Sequence, residues 1–337
     1  MSNLRISSIR NNKKVFVILL TLLTLFVMIL SIMLGSVRLT PHEILTALAG
    51  NNTSSTTSYI VLYSRLPRTF AALLAGTALS VSGVVIQTVL NNPLASPGVI
   101  GVNSSAGFAV ALVCALIPAA QKYTPFVAFF GALAGILLVM GLSLGTKASK
   151  ITVVLAGMAI SNLFSAGIDT IITFVPDALN GVTDFRIGGF SGVIMEQIAP
   201  AAKIILPGLI LILTLSPQLD ILSLGSDIAK SLGLSVGIAR FTFLVLSAAL
   251  AGAAVSFSGL LGFIGLIIPH AMRRLVGEES LVLILTSALG GGSFVMFCDL
   301  LARTLFSPFE IPVGIVLAFT GGPFFLWLLF KQIGGRT

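Results

Sequence analysis

Ten near-continuous apolar windows punctuate the chain, near 15–35, 66–90, 98–118, 125–145, 152–175, 199–216, 238–258, 260–272, 281–298 and 311–330. Most approach the roughly 20 residues that a helix needs to cross about 30 Å of hydrocarbon; the eighth is short. The pattern predicts an all-α, polytopic membrane protein of about ten transmembrane helices. Arg5, Arg10, Lys13 and Lys14 precede the first window, and the run Val15–Leu34 is 20 residues long. A signal-peptide core spans only about 7–15 residues, and no small-x-small cleavage site follows. The run is therefore expected to be a retained first helix, after a cytoplasmic segment 1–14. The longest polar stretches are Gly50–Ser58, Pro176–Phe190 and Pro217–Gly237. None is long enough for a soluble domain, so residues 15–333 are expected to form a single membrane domain.

Composition agrees and narrows the class. Of 337 residues, 56% are hydrophobic and only 9% charged, against roughly 25% charged in an ordinary soluble domain. Net charge is +8, from 19 Lys and Arg against 11 Asp and Glu. The basic residues sit in short connections and near the ends, without interleaved aromatics, so nucleic acid is not an expected partner. Ten spans place both termini in the cytoplasm, with 12 basic residues inside and 7 outside. The bias has the sign that topology requires, but the seven outside need a reason. Cys114 and Cys298 lie in apolar stretches, as small core residues do.

Residues 75–83 read AGTALSVSG and residues 251–259 read AGAAVSFSG, matching at six of nine positions. The same offset of 176 carries Pro93 onto Pro269 and Gly101 onto Gly277. The copies fall in the second and seventh windows, which an inverted-topology repeat would place in opposite directions. Repeat halves of about 60–190 and 236–333 are expected. The competing explanation is that small residues recur wherever membrane helices pack closely.

Five segments carry candidate chemistry. Arg65 and Arg68 flank Pro67 at the outer start of the second span. Either they snorkel to the interface, or they grip acidic residues of an extracellular partner. Gly83, Gln87 and Asn91 are spaced by four along one helix face, and Asn92, Pro93 and Pro97 then break the helix. Broken backbone at membrane depth needs protein or water around it, which suits a translocation path as well as a capped loop. Gly262, Gly265, Pro269 and His270 form a glycine-rich, kinked segment ending at Arg273 and Arg274. A lone histidine there more simply hydrogen-bonds than ligates a metal. Leu224, Ile228 and Leu232 make an apolar row on a short cytoplasmic helix, with Ser226 as cap and Gly233 as stop. The row seats either in a partner's groove or on the membrane surface. Asp299 and Arg303, four apart, pair on one helix face.

No catalytic constellation, nucleotide phosphate loop or metal-ligand cluster occurs, so the chain is not expected to be an enzyme and no cofactor is implied. Asp169 is the one acid well inside a predicted span, and it keeps a proton-coupled secondary transporter in view.

Taken in order, RLPR at 65–68, the run at 83–98, LGLSV at 232–236, GFIGLIIPH at 262–270, DLLAR at 299–303 and EIPVG to GGPFF at 310–325 resemble permease subunits. The family is that of bacterial iron–siderophore and vitamin B12 (FecCD-type) ABC importers, and the likeness runs from about residue 15 to 333. It implies a subunit that pairs with a second copy or paralogue in the cytoplasmic membrane. Two cytoplasmic ATPase subunits bind below, and an extracytoplasmic substrate-binding protein docks above. By motif match, Arg65, Arg68 and Arg303 would take acids of the binding protein, which explains their place outside. The stretch holding Leu224, Gly225, Asp227, Ile228, Ala229, Leu232 and Gly233 resembles an ATPase-coupling helix within a loop 217–237. An inner gate would fall near Lys147–Thr152. The cargo implied is an iron–siderophore complex, with heme and cobalamin as alternatives. Departures occur at Leu260, where proline is common, at Asp184–Gly189, which lacks a tryptophan, and at Ser104-Ser105-Ala106.

Overall fold

A computed structural model describes residues 2–35, 37, 39–49, 56–144 and 150–334. Its helices are α1 (Ser2–Met33), α2 (Pro41–Leu48), α3 (Thr56–Tyr59), α4 (Leu66–Leu90), α5 (Val102–Leu116), α6 (Thr124–Leu144), α7 (Lys150–Phe174) and α8 (Leu179–Ile187). They continue as α9 (Met195–Thr214), α10 (Ser216–Ser223), α11 (Ser226–Ser231), α12 (Val236–Ser258), α13 (Ile264–Val276), α14 (Ser280–Thr304) and α15 (Val313–Gly334). No strand occurs among the described residues.

Each of the ten windows lies on a helix. Among the described residues, seven helical stretches are long and apolar enough to cross a membrane. The other three windows fall on α5, α13 and α15; α13 has 13 residues and so rises only about 20 Å. Boundaries moved where local chemistry overrode hydropathy. α14 runs past its window to Thr304, carrying Asp299 and Arg303 inside the helix. The second span begins ten residues early, because a π-helical stretch, Ile60–Arg65, joins α3 to α4. Pro67 follows that stretch and lacks an N–H, so a regular i→i−4 ladder could not continue through it.

α4 is the axle of the bundle. Of its most apolar stretch 78% is buried, against 22% for α1 and α9 and 17% for α7, so those three face outward. α12, α13 and α14 pack around α4. The contacts are close because both sides lack side chains. A Cβ on Gly76 would lie 2.2 Å from the Gly291 carbonyl oxygen, and one on Gly83 would lie 2.0 Å from that of Gly265. Small residues bring membrane helices together by backbone contact, as hydrophobicity does in water. The two nine-residue copies lie on α4 and at the end of α12, and Ser82 Oγ donates to the Ser247 carbonyl between these helices. Their ends differ: Gly83 is inside α4, whereas Gly259 terminates α12 at φ +65°.

The polar stretch 176–190 is largely helical, as α8, and 217–237 forms α10 and α11. Most of Gly50–Ser58, and residues 147–149 of the expected inner gate, lie outside the described residues.

Candidate functional site

Two constellations stand at opposite ends of α14. The first is built on Asp299, whose side chain is fully buried. Arg68, near the start of α4, donates Nε to Asp299 Oδ1 and Oδ2 at 3.0 and 3.1 Å. Its Nη1 donates to Glu310 Oε2 at 2.7 Å. Arg303 Nε stands 3.7 Å from Asp299 Oδ2, one helical turn along α14. Its Nη2 donates to the Ser31 carbonyl and, at 2.8 Å, to Ser31 Oγ. Ser31 Oγ also meets Thr69 Oγ1 at 2.8 Å. Arg65 donates Nη1 to the Ile32 and Met33 carbonyls at 2.8 and 2.7 Å, and Nη2 to that of Val37. The Ile32 and Met33 carbonyls end α1, where the helix has orphan acceptors and a negative dipole end. The cluster thus stitches α1, α4 and α14 together.

Arg65, Arg68 and Arg303 are 4, 9 and 4% exposed and bonded to acceptors within the chain. Burying a guanidinium without a counter-charge is costly, and the fold supplies partners. The expected Asp299–Arg303 pair is present, but Asp299's hydrogen bonds come from Arg68. Sequence reasoning missed that bond because it joins residues 231 apart. It also missed Glu310 as a site residue. The available signal was the co-occurrence of unexplained outer arginines with a nearby acid at the end of a span.

Asp169 lies within the apolar stretch Thr152–Phe174, with its side chain 68% exposed and 3.4 Å from Arg186. Among the described residues, the acid that the fold buries is Asp299.

The second constellation is α10 and α11. α11 begins after Gly225, at φ +105°, and ends in a Schellman turn at Gly233, φ +83°. There Leu234 N donates to the Ala229 carbonyl and Gly233 N to that of Lys230, the pattern that closes a helix at glycine. Gly225 occupies the N-cap in place of the expected Ser226; Ser226 Oγ instead meets Arg240 Nη2 at 3.2 Å. Ala229 is fully buried, while Leu224, Ile228 and Leu232 are 56, 51 and 59% exposed. Asp227 is exposed beside them.

The helix-break residues divide between two cavities. Pro97 lines one of about 300 Å³, with Phe263, Phe325, Ser96 and Asn103. Gln87, Asn91, Asn92 and Pro93 line another of about 190 Å³, with Ser223, Arg273 and Glu278. Gln87 links the second cavity to Gly265, which lines the first. Its Nε2 donates to the Gly265 carbonyl at 3.1 Å, and its Oε1 accepts from Arg273 Nη1 at 3.0 Å. Asn91 does not continue the Gly83–Gln87 face: it turns left-handed at φ 49° and ends α4. Asn92 Oδ1 accepts from Leu94 N at 2.9 Å, a side-chain-built turn. His270 is helical and meets the Phe324 ring edge-on at 6.0 Å. Among the described residues, no three His, Cys, Asp or Glu come together as metal ligands.

An all-helical bundle with seven membrane-length apolar helices among the described residues, a buried ion cluster and broken helices is the build of a membrane transport permease. The family model described as the FecCD transport family matches residues 23–331, and the chain belongs to that family. It is therefore a permease subunit of the ABC importer type and not an enzyme. The hemin transport system permease protein of Yersinia pestis is 38% identical over 286 residues, covering 83% of this chain and 85% of that one. The Fe(3+)-citrate import system permease protein of Bacillus subtilis is 35% identical over 319 residues, covering 93 and 94%. A solved structure described as an inward-facing, metal-chelate type ABC transporter superposes with a TM-score of 0.83 at 29% identity, covering 94% of this chain and 99% of that one.

Proposed function

We propose that this permease carries a ferric chelate, and first of all an iron–siderophore complex, into a bacterial cytoplasm. Both termini lie on the cytoplasmic side, residues 15–333 act as one membrane domain in two inverted halves, and a second copy or paralogue completes the path. ATPase subunits seat on the loop 217–237, and a substrate-binding protein docks at the opposite end. The observation that carries this reading is the exposed row of Leu224, Ile228 and Leu232, held by two glycine-defined turns in a family whose members work with ATPases. An apolar row on a short helix is what a hydrophobic groove receives. The cargo class is supported by relatives named for Fe(3+)-citrate, iron(3+)-hydroxamate and hemin. The hemin relative's 38% identity keeps heme as the second reading; cobalamin rests on the family resemblance.

At the outer end, Arg65 and Arg303 hold the platform. Arg68 passes from Glu310, whose side chain is 40% exposed, to an acid of the binding protein. Gln87, Asn91, Asn92, Pro93 and Pro97 form the break beside the path. The test is gentle co-purification followed by reconstitution with the recovered ATPase and binding protein. ATP-dependent uptake of a ferric siderophore is expected. Uptake of hemin or cobalamin alone would reassign the cargo, and a complex lacking any ATPase would remove the coupling assignment.

A further inference from the structure

The N-terminus of α14 is capped by a residue that does not belong to it. Its own N-cap, Glu279, is extended and makes no side-chain cap; its carboxylate is instead 2.9 Å from Lys13 Nζ. The first N–H of the helix, on Ser280, which is 2% exposed, donates to Asp220 Oδ1 of α10 at 2.8 Å. Helix starts are normally capped from the adjoining residue. Here the cap crosses 60 positions to reach the element beside α11.

We propose that Asp220 is the positioning residue that ties the ATPase-facing segment α10–α11 to the turn between α13 and α14, so that motion imposed on α11 is delivered to both helices. The proposal rests on the coupling role given to α11 above. The turn is short, Gly277 to Glu279, between the end of α13 and the start of α14. Beyond it, α13 is tied to α4 through Arg273 and Gln87, and its far end places Phe263 in the 300 Å³ cavity. Phe263 is left-handed at φ 66°, a conformation sustained only where the surroundings impose it. α14 runs from the Asp220 cap to Asp299, a rise of about 28 Å. One hydrogen bond therefore gives the coupling segment a hold on the helix that lines a cavity and on the helix that anchors the ion cluster.

The test uses the full complex of permease, ATPase and binding protein in proteoliposomes, and reads cargo moved per ATP hydrolysed. Asp220→Ala is expected to keep the ATPase bound while the ratio falls about fivefold or more, as loss of one N-cap would allow. Asp220→Asn is expected to preserve the ratio, since asparagine caps as well as aspartate. Ser280→Pro removes the donor from the other side. Proline suits a first helical position, and the extended Glu279 suits the residue before proline. It should reproduce the loss, whereas Ser280→Ala should not, and the Asp220→Ala/Ser280→Pro pair should be no worse than either alone. A wild-type ratio in either Asp220→Ala or Ser280→Pro, or additive losses in the pair, would overturn the proposal. If Asp220→Ala fails to assemble, Ser280→Pro decides, because it leaves α10 untouched. Normal coupling in a protein with Asp220 intact but Leu224, Ile228 and Leu232 replaced by Asp would instead refute the role of α11.

Discussion

At the Asp299 end of α14, two guanidiniums meet two carboxylates and a third, that of Arg65, is held by backbone carbonyls; of the five only Glu310 is substantially exposed. At the other end, three large apolar side chains of the α11 region stand open. The usual assignment of charge to the outside and grease to the inside is inverted at both places. In the ion cluster every charge already has its partner within the chain. On α11 no partner covers the apolar row among the described residues. Whether a side chain is finished inside its own chain, more than its polarity, says which groups a partner must compete for and which it finds open.

The sharpest way to break this contrast is Asp299→Ala. It strands Arg68 and Arg303 without their shared carboxylate. Removing one partner from a buried ion pair costs about 3–5 kcal/mol, a large share of typical stability. Low yield and a steep fall in the thermal midpoint of detergent-solubilised protein are expected. A normal midpoint would mean that the cluster is not structural.

The matching change at the other end is replacement of Leu224, Ile228 and Leu232 together by Asp. Exposed positions tolerate substitution within about 0.5 kcal/mol each, so the thermal midpoint should barely move. ATPase retention, or transport per ATP, should be lost. If the midpoint collapses with transport, the row belongs to the fold; if coupling is normal, the row is not the docking surface.

A smaller effect separates backbone from side chain on α11. Gly233 has open space around a would-be Cβ but sits at φ +83°. Gly233→Ala should therefore cost about 1 kcal/mol through left-handed strain alone, seen as faster amide exchange at Gly233 and Leu234. Gly83→Ala fails for the opposite reason, since there the backbone of Gly265 occupies the space. An unchanged exchange rate would show that the Schellman turn does not fix α11.

How much of this was legible in the sequence follows from the range of each interaction. The ten windows, the glycine stop at Gly233 and the apolar row on α11 rest on neighbours a few residues apart, and each maps onto a helix, a turn or an exposed face. The Arg68–Asp299 and Arg273–Gln87 hydrogen bonds join residues far apart in sequence, and spacing carries no trace of such contacts. Asp169 does lie within a membrane-length helix, but a hydropathy window does not say which way its side chain faces. The eighth window, read as short, lies four residues further along, because Gly259–Phe263 is apolar but not helical.

A third placement of charge extends the comparison. On α2, between the first two spans, Glu43 is solvent-exposed yet satisfied by its own neighbours. Oε2 accepts from Thr40 N at 2.7 Å and from Thr40 Oγ1 at 2.8 Å, and Thr40 Oγ1 accepts from Glu43 N at 3.4 Å. This capping box, led by the Thr40 backbone bond, holds the Glu43 carboxyl below its ordinary value. A carboxyl depressed in the folded state stabilises fully above its unfolded pKa, about 4.3. That stabilisation is lost as pH falls through the lower folded value. Amide protection in the first turn of α2 should therefore weaken on acidification. Glutamine also completes a capping box, so Glu43→Gln should retain the protection with no pH dependence. The shift should be the smallest of these effects, since water screens an exposed carboxylate as the Asp299 pocket does not. If protection in wild type and Glu43→Gln fell together with pH, the loss would belong to the helix packing around α2 rather than to this carboxylate.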